Sequence, residues 1–296
     1  MNSNFGIHLE HKSIISVSGT DCINFLQNII SNDIFLISDS NSIYSYLLSP
    51  QGKFLYDFMI IQQSKDNYLL QCNKKDATDF VDKLCTYKLR SNIEIKQLDG
   101  KFKSYFFNTA NELIKTSFKT IKGFTISNDY GFFFNDPRID EFGIHGIIYE
   151  DKNKNLVKEL ALTLLPFQTY EKLCHNTGLT DLIPTKALQD FFSLELNGKE
   201  LHGVSFKKGC FVGQENTARM NLKNKIRKRV LPIQIISGSV EINEHISINE
   251  NMVGKIISID PHCFAAIKIE EANVFEQIIP LKQGSIKITK PNWLKN

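Results

Sequence analysis

The sequence has no Cys-x-x-Cys pair and no Cys/His pair at zinc-finger spacing. Its six cysteines, Cys22, Cys72, Cys85, Cys174, Cys210 and Cys263, therefore read as reduced thiols rather than a zinc or disulfide framework. The seven histidines include no His-x-x-x-His, so no metal site is expected. No segment approaches the roughly 18 uninterrupted apolar residues of a membrane helix. The first residues, Met1 to Gly6, lack a basic stretch followed by an apolar one, so a soluble, unexported chain is expected. A Gly-x-Gly-x-x-Gly or phosphate loop is also absent, which argues against nucleotide cofactors. Charge of one sign is scarce as well. With 35 basic and 32 acidic residues the net charge is +3, too small for a dedicated nucleic-acid binder, so any anion site must be local.

What is present fits a large globular protein. At 296 residues the chain exceeds a usual single domain, and 42% hydrophobic with 23% charged residues is enough to bury a core. Ser13 to Val17 predicts a strand ending at Gly19. Thr20 then stands ready to cap a helix with Cys22, Phe25, Leu26, Ile29 and Ile30 on one face. A meander follows: Tyr44 to Leu48, a turn at Ser49-Pro50-Gln51-Gly52, Phe54 to Ile61 and Tyr68 to Cys72. Ala77, Phe80, Val81, Leu84 and Cys85 mark a second helix.

Strand-type sequence from Ile93 to Tyr149 contains Asn135-Asp136-Pro137-Arg138, a turn with Arg138 at its exit. A helical region from Asn155 is interrupted by Pro166 and stops near Gly178. From Arg229 the pattern changes to five short β runs, Val230 to Ile236, Val240 to Ile248, Met252 to Ile259, Cys263 to Ile269 and Ser285 to Ile288. These suggest a small barrel. The expected organisation is α+β, with residues 1–226 as one composite domain, a strand-rich middle part at about 93–150, and residues 227–296 as a C-terminal β-barrel whose boundary lies within Asn224 to Arg229.

Five cysteines lie in apolar or periodic runs and are expected to pack as small hydrophobes. Cys210 lies instead in Lys207-Lys208-Gly209-Cys210-Phe211-Val212-Gly213-Gln214-Glu215. A thiol reacts as thiolate, which nearby cations favour, and Lys208 and Lys207 are two and three residues away. Gly209 and Gly213 tolerate positive φ and permit close approach, and Gln214 and Glu215 can open a helix. Two readings stand: a buried turn in which Cys210 packs, or an accessible chemical thiol.

The segment resembles the Lys-Gly-Cys-aromatic-x-Gly-Gln-Glu signature of the YgfZ-like folate-binding family, with Lys208, Gly209, Cys210, Phe211, Gly213, Gln214 and Glu215 in place. The resemblance extends over Gly19-Thr20-Asp21 to Phe25-Leu26-Gln27, the Leu48 to Lys53 turn with Asp57, Asp136-Pro137-Arg138, Leu194-Glu195-Leu196-Asn197, Arg219 and Val253-Gly254. It implies a fold like the glycine-cleavage T-protein, an aminomethyltransferase, with ring-arranged subdomains around a tetrahydrofolate pocket. It also implies help in building or delivering iron–sulfur clusters, particularly four-iron clusters. The residues it points to are Cys210, Lys208 and Asp57 for chemistry, and Asp136, Arg138, Glu195, Gly209, Gly213, Gln214, Glu215 and Arg219 for folate. The partners it implies are a reduced folate and iron–sulfur carrier or client proteins. The implied compartment is the cytoplasm of a bacterium or the mitochondrial matrix of a eukaryote.

The chain departs from the family pattern at Cys174 to Thr180 and at Ser193. It also has Tyr56-Asp57 where the T-protein carries an acidic pair. Methylene transfer needs a positioned acid or base, so aminomethyl transfer ranks behind folate binding without it. A third reading, RNA binding, rests on Arg219, Lys223, Lys225, Arg227, Lys228 and Arg229, whose plainer alternative is a solvated linker. Asp136 and Arg138 read equally as a local ion pair or as pterin contacts. His145 and His175 read as pocket-facing or as structural residues.

Overall fold

Alternating side chains define the first sheet. In β2 (Lys12–Ser18), Ile15 and Val17 face one side and Ile14 the other. β3 (Ile43–Leu48), β4 (Phe54–Ser64) and β5 (Asn67–Asn73) repeat that period, and β6 (Glu94–Gln97) completes an antiparallel sheet in the order β3-β4-β5-β2-β6. Helices α1 (Cys22–Ile29) and α2 (Ala77–Lys88) cover one face with Phe25, Leu26, Phe80 and Leu84. The computed structural model describes residues 5–108, 119, 121–140, 142–223, 226–269, 274–275 and 277–295. Asn224 and Lys225, within the expected domain boundary and the basic run, lie outside the described residues.

Thr20 does not cap α1. The N-cap is Asp21, without a side-chain cap bond. Asp21 accepts instead from the Asn92 amide at 2.7 Å and Thr20 from the Asn92 side chain at 3.1 Å, so both tie the helix start to the chain entering β6.

The second sheet gathers β1 (Phe5–His8), β7 (Phe102–Phe107), β8 (Thr125–Asn128), β9 (Gly131–Asn135), β10 (Ile144–Tyr149) and β11 (Thr163–Leu164) in the order β11-β1-β7-β10-β9-β8. The strand-rich stretch from 93 to 150 is thus divided between two sheets, because β6 pairs with β2. Helix α3 (Asn153–Glu159) precedes β11. α4 (Phe167–Thr177) starts after Pro166 and ends at Gly178, whose φ of 74° makes the left-handed C-cap. A one-turn helix, α5 (Thr185–Leu188), follows.

β12 (Lys228–Gly238), β13 (His245–Ile248), β14 (Asn251–Ser258), β15 (Phe264–Lys268), β16 (Ile278–Pro280) and β17 (Gly284–Ile288) form a nearly closed, barrel-like sheet, order β13-β14-β15-β12-β17-β16. It wraps a core of Leu231, Ile233, Ile256, Ile267 and Ile286. The strand β16 was not expected, being three residues long and ending on proline. The three sheets share one central core that includes Tyr46, Phe54, Phe106, Phe134, Tyr170, Leu194 and Val230. Cys22, Cys72, Cys174 and Cys263 are buried, whereas Cys85 is exposed, one position past the core-facing Leu84.

Candidate functional site

Helix α6 (Gln214–Leu222) begins at Gly213, and the loop before it holds Cys210 exposed. Lys208 anchors that loop. Its ammonium donates to the carbonyls of Gln27 and Ile30 at 2.7 Å and Asn32 at 2.8 Å, the free acceptors where α1 ends. Burial pushes this ammonium down to about 8, with Asp33 opposing. The Val212 amide adds a bond to the Asn28 carbonyl at 3.1 Å. Lys208 therefore serves α1 as a clamp, a different use from the cation beside a thiolate.

Gly213 has φ 83°, and an added Cβ would meet the Ser49 carbonyl at 2.5 Å. Gly52, at φ 80°, would meet the Gly213 carbonyl at 2.9 Å. The Asn216 side chain donates to the Gln51 carbonyl at 2.8 Å. The hairpin turn and the Cys210 loop are thus one backbone-to-backbone unit. Gly209 is different: none of the described residues beyond its chain neighbours lies within 4 Å of its Cβ position. Gln214 folds back onto the Phe211 amide at 3.3 Å, and Glu215 stays exposed in the first turn.

A second cluster lies inside the central core. Arg138 bonds Asp136 through Nε (3.0 Å) and Nη2 (2.7 Å) and pairs with Asp181 through Nη1. All three are buried. His145 reaches Asp136 at 3.0 Å, Tyr170 donates to Asp181 at 2.9 Å, and Lys12 lies 3.4 Å from Asp181. Burial alone would raise both carboxyls, but Arg138 outweighs it, helped by His145 at Asp136 and by Lys12 at Asp181, and holds them below the ordinary range. The ion-pair reading of Asp136 and Arg138 is therefore what the geometry displays, extended by a second aspartate.

At the edge of this cluster Tyr44 donates to Asp57 at 2.8 Å, with the Arg138 guanidinium 5.1 Å above the Tyr44 ring. Asp57 is half-buried. Its carboxyl is raised, first by burial and then by Asp181, while Lys12, Tyr44 and Arg138 pull the other way. Such a carboxyl holds its proton to higher pH than a free aspartate and can donate it to a bound amine.

A cavity of about 400 Å³ is lined by Phe192, Glu195, Arg219, Met220, Lys223 and Arg227. Glu195 accepts from the Phe192 amide at 2.9 Å and lies 3.7 Å from Lys228. Arg219 is exposed and uses one donor on Asn216. Arg229 departs from the solvated-linker reading of the basic run. It is buried, forks onto Glu200 at 2.7 and 2.8 Å and reaches Asn197 at 3.1 Å. The Leu194-Glu195-Leu196-Asn197 motif fastens β12: the Glu195 carbonyl accepts from the Val230 N–H, and the Asn197 side chain donates to the Val230 carbonyl at 2.8 Å.

Lys12, Tyr44, Tyr170 and Asp181 were not among the sequence candidates. The available signal was a lone carboxylate in the apolar run Leu179 to Ile183, since a buried acid requires partners. His145 is buried on Asp136. His175 stacks on His262 at 4.8 Å and bonds the Cys263 carbonyl at 3.0 Å, so both histidines have structural partners.

No family model matches the chain. It is 28% identical over 235 residues to the mitochondrial iron-sulfur cluster assembly factor IBA57 homolog of Neurospora crassa, covering 76% of this chain and 52% of that protein. It is 27% identical over 240 residues to the homolog of Mycosarcoma maydis, covering 75% and 55%. The matched region thus spans about half the length of these curated relatives. The crystal structure of glycine cleavage system aminomethyltransferase T from Bartonella henselae superimposes with a TM-score of 0.77 at 13% identity, covering 99% of this chain and 86% of that one. The chain therefore has the aminomethyltransferase-like α+β fold and is similar in sequence to iron–sulfur cluster assembly factors.

Proposed function

We propose that this chain is a tetrahydrofolate-binding protein that assists assembly or repair of iron–sulfur clusters, four-iron clusters in particular, through the Cys210 loop. The observation that carries the reading is an exposed cysteine on a loop held rigid by Lys208 and by the Gly52–Gly213 contact. A cluster or partner can reach such a thiol without unfolding anything. The names of the relatives support the same cargo. In a eukaryotic cell the reading places the protein in the mitochondrial matrix, and in a bacterium in the cytoplasm. Its partners are iron–sulfur carriers or clients. We assign residues 1–226 to the folate-binding part and 227–296 to the barrel.

The residues present fit a folate in two respects. Tyr44 and Asp57 offer to a pterin or its amines a hydroxyl and a carboxyl whose pKa burial raises, and Arg219, Lys223 and Arg227 offer cations to the glutamate tail beside Phe192. Bound tetrahydrofolate would supply amines able to accept or give a one-carbon unit. Asp57 is also the observation that favours the second reading, aminomethyl transfer, because one poised carboxyl can serve as the acid.

The deciding experiment replaces Cys210 by serine. Because the thiol is exposed, Cys210→Ser should leave the melting temperature unchanged while abolishing support of cluster-dependent enzymes in cells. A fully active serine variant overturns the cluster role. Calorimetry with tetrahydrofolate tests the ligand separately: no heat at millimolar folate removes it.

A further inference from the structure

Exposed large apolar side chains gather on one side of the Cys210 loop. A groove of about 420 Å³ is floored by Ile43, Tyr44 and Val204 and flanked by Leu36, Phe206 and Lys207. Leu36 is 54% and Phe206 40% exposed. Isolated exposed hydrophobics are ordinary, but a contiguous apolar patch with a polar rim marks an interaction site.

The charged side chains that line this groove are the lysines Lys122 and Lys207. No Asp or Glu lines it among the described residues. Lys122 is paired with Asp140 at 2.7 Å, whereas Lys207 makes no ion pair among the described residues. Burial, with Lys122, lowers the His202 pKa, so its ring is neutral at pH 7. The nearby Asp33 carboxylate accepts from the Gln27 side chain and the Phe35 amide through one oxygen.

The groove and the Cys210 loop are cross-tied. Asn32 donates to the carbonyls of Tyr44 and His202, both at 2.8 Å, Ser31 bonds the Gly203 carbonyl at 2.6 Å, and Ser205 returns to the Ser31 carbonyl at 3.0 Å. The carbonyl of Asn32 itself accepts from Lys208. Whatever seats in the groove is thus held in fixed relation to Cys210.

We propose that this groove docks a partner protein through an apolar segment flanked by carboxylates. The apolar side chains enter between Leu36 and Phe206, and an acid meets Lys207. This is the mode in which an amphipathic segment lays its apolar face into a preformed groove. That the partner also carries a cluster to Cys210 rests on the function proposed above; the groove's preference for an acidic and apolar segment does not.

A random dodecapeptide display library is selected against the full chain. The expected winners combine at least two large apolar residues with Asp or Glu. Their affinity should fall at least tenfold on Leu36→Asp, Phe206→Asp or Lys207→Glu and stay unchanged on Leu164→Asp, an exposed apolar control on the edge strand β11. Each variant is first checked for an unchanged melting temperature, and Lys207→Glu, exposed and without an ion pair, keeps the test open if an apolar variant misfolds. No enrichment, enrichment of basic peptides, or binding that survives all three variants overturns the proposal. Displacement of the winners by tetrahydrofolate also overturns it, since the groove would then belong to the folate site. Confirmed acidic–apolar binding together with a fully active Cys210→Ser would uphold the groove and sink only the cluster role.

Discussion

Gly52 and Gly213 touch through their backbones: a Cβ on Gly213 would lie 3.1 Å from the Cα of Gly52, and one on Gly52 would lie 2.9 Å from the Gly213 carbonyl. The contact joins the β3–β4 turn to the Cys210 loop and explains why two glycines 161 residues apart are both required to lack a side chain.

Gly213→Ala combines a positive φ with a clash against the Ser49 carbonyl, so it should lower stability by about 1–3 kcal/mol and the melting temperature by several degrees. Gly209→Ala, with open space around it, should change either by little. Thermal unfolding of both variants tests the contrast; equal effects would mean that the loop is not held by this contact.

Lys208→Met keeps the aliphatic stem and removes the three bonds to the end of α1. Leaving buried acceptors unmet costs on the order of 1–3 kcal/mol. Amide exchange at Val212, whose N–H bonds Asn28, should accelerate in step with the loss. Protection at wild-type level would show that the clamp does not order the loop.

His11 is held neutral. Burial pushes its pKa down to about 3, and neither ring nitrogen has a hydrogen-bond partner among the described residues. Below pH 6.5 the unfolded chain takes up a proton that the folded chain refuses, so stability should fall steadily from pH 6.5 towards about pH 3. His11→Phe keeps the ring packing on Phe167 and Tyr170 and should flatten that part of the pH–stability curve. An unchanged slope in chemical denaturation would locate the acid sensitivity elsewhere.

Arg229→Ala strands Glu200 and removes one of the two bonds between β12 and the Asn197 side chain, and breaking a buried pair of this kind costs about 3–5 kcal/mol. Arg227→Ala, at an exposed position only two residues away, should leave stability within about 0.5 kcal/mol but weaken binding of a polyglutamylated folate. Urea melts and folate titrations separate the two roles.

Short-range features were legible from the sequence alone. The 3.6- and 2-residue periods named both early helices and the meander, Gly178 marked the end of α4, and the change to short β runs after Arg229 announced the barrel. These depend on neighbours a few residues apart, whose spacing the chain itself sets. Local sequence left Cys210 open between a packed and an accessible thiol, and the fold exposes it.

Only the tertiary structure decided which charges meet. Arg138 finds Asp181 across 43 positions and Lys208 reaches the end of α1 across 181, and nothing in either local sequence specifies the partner. Lys208 stands beside Cys210 in the chain, yet its ammonium is spent on carbonyls. A cation's destination follows from which unmet acceptors the fold leaves within its reach, and those are created by helix ends and buried carboxylates that exist only after the sheets have packed.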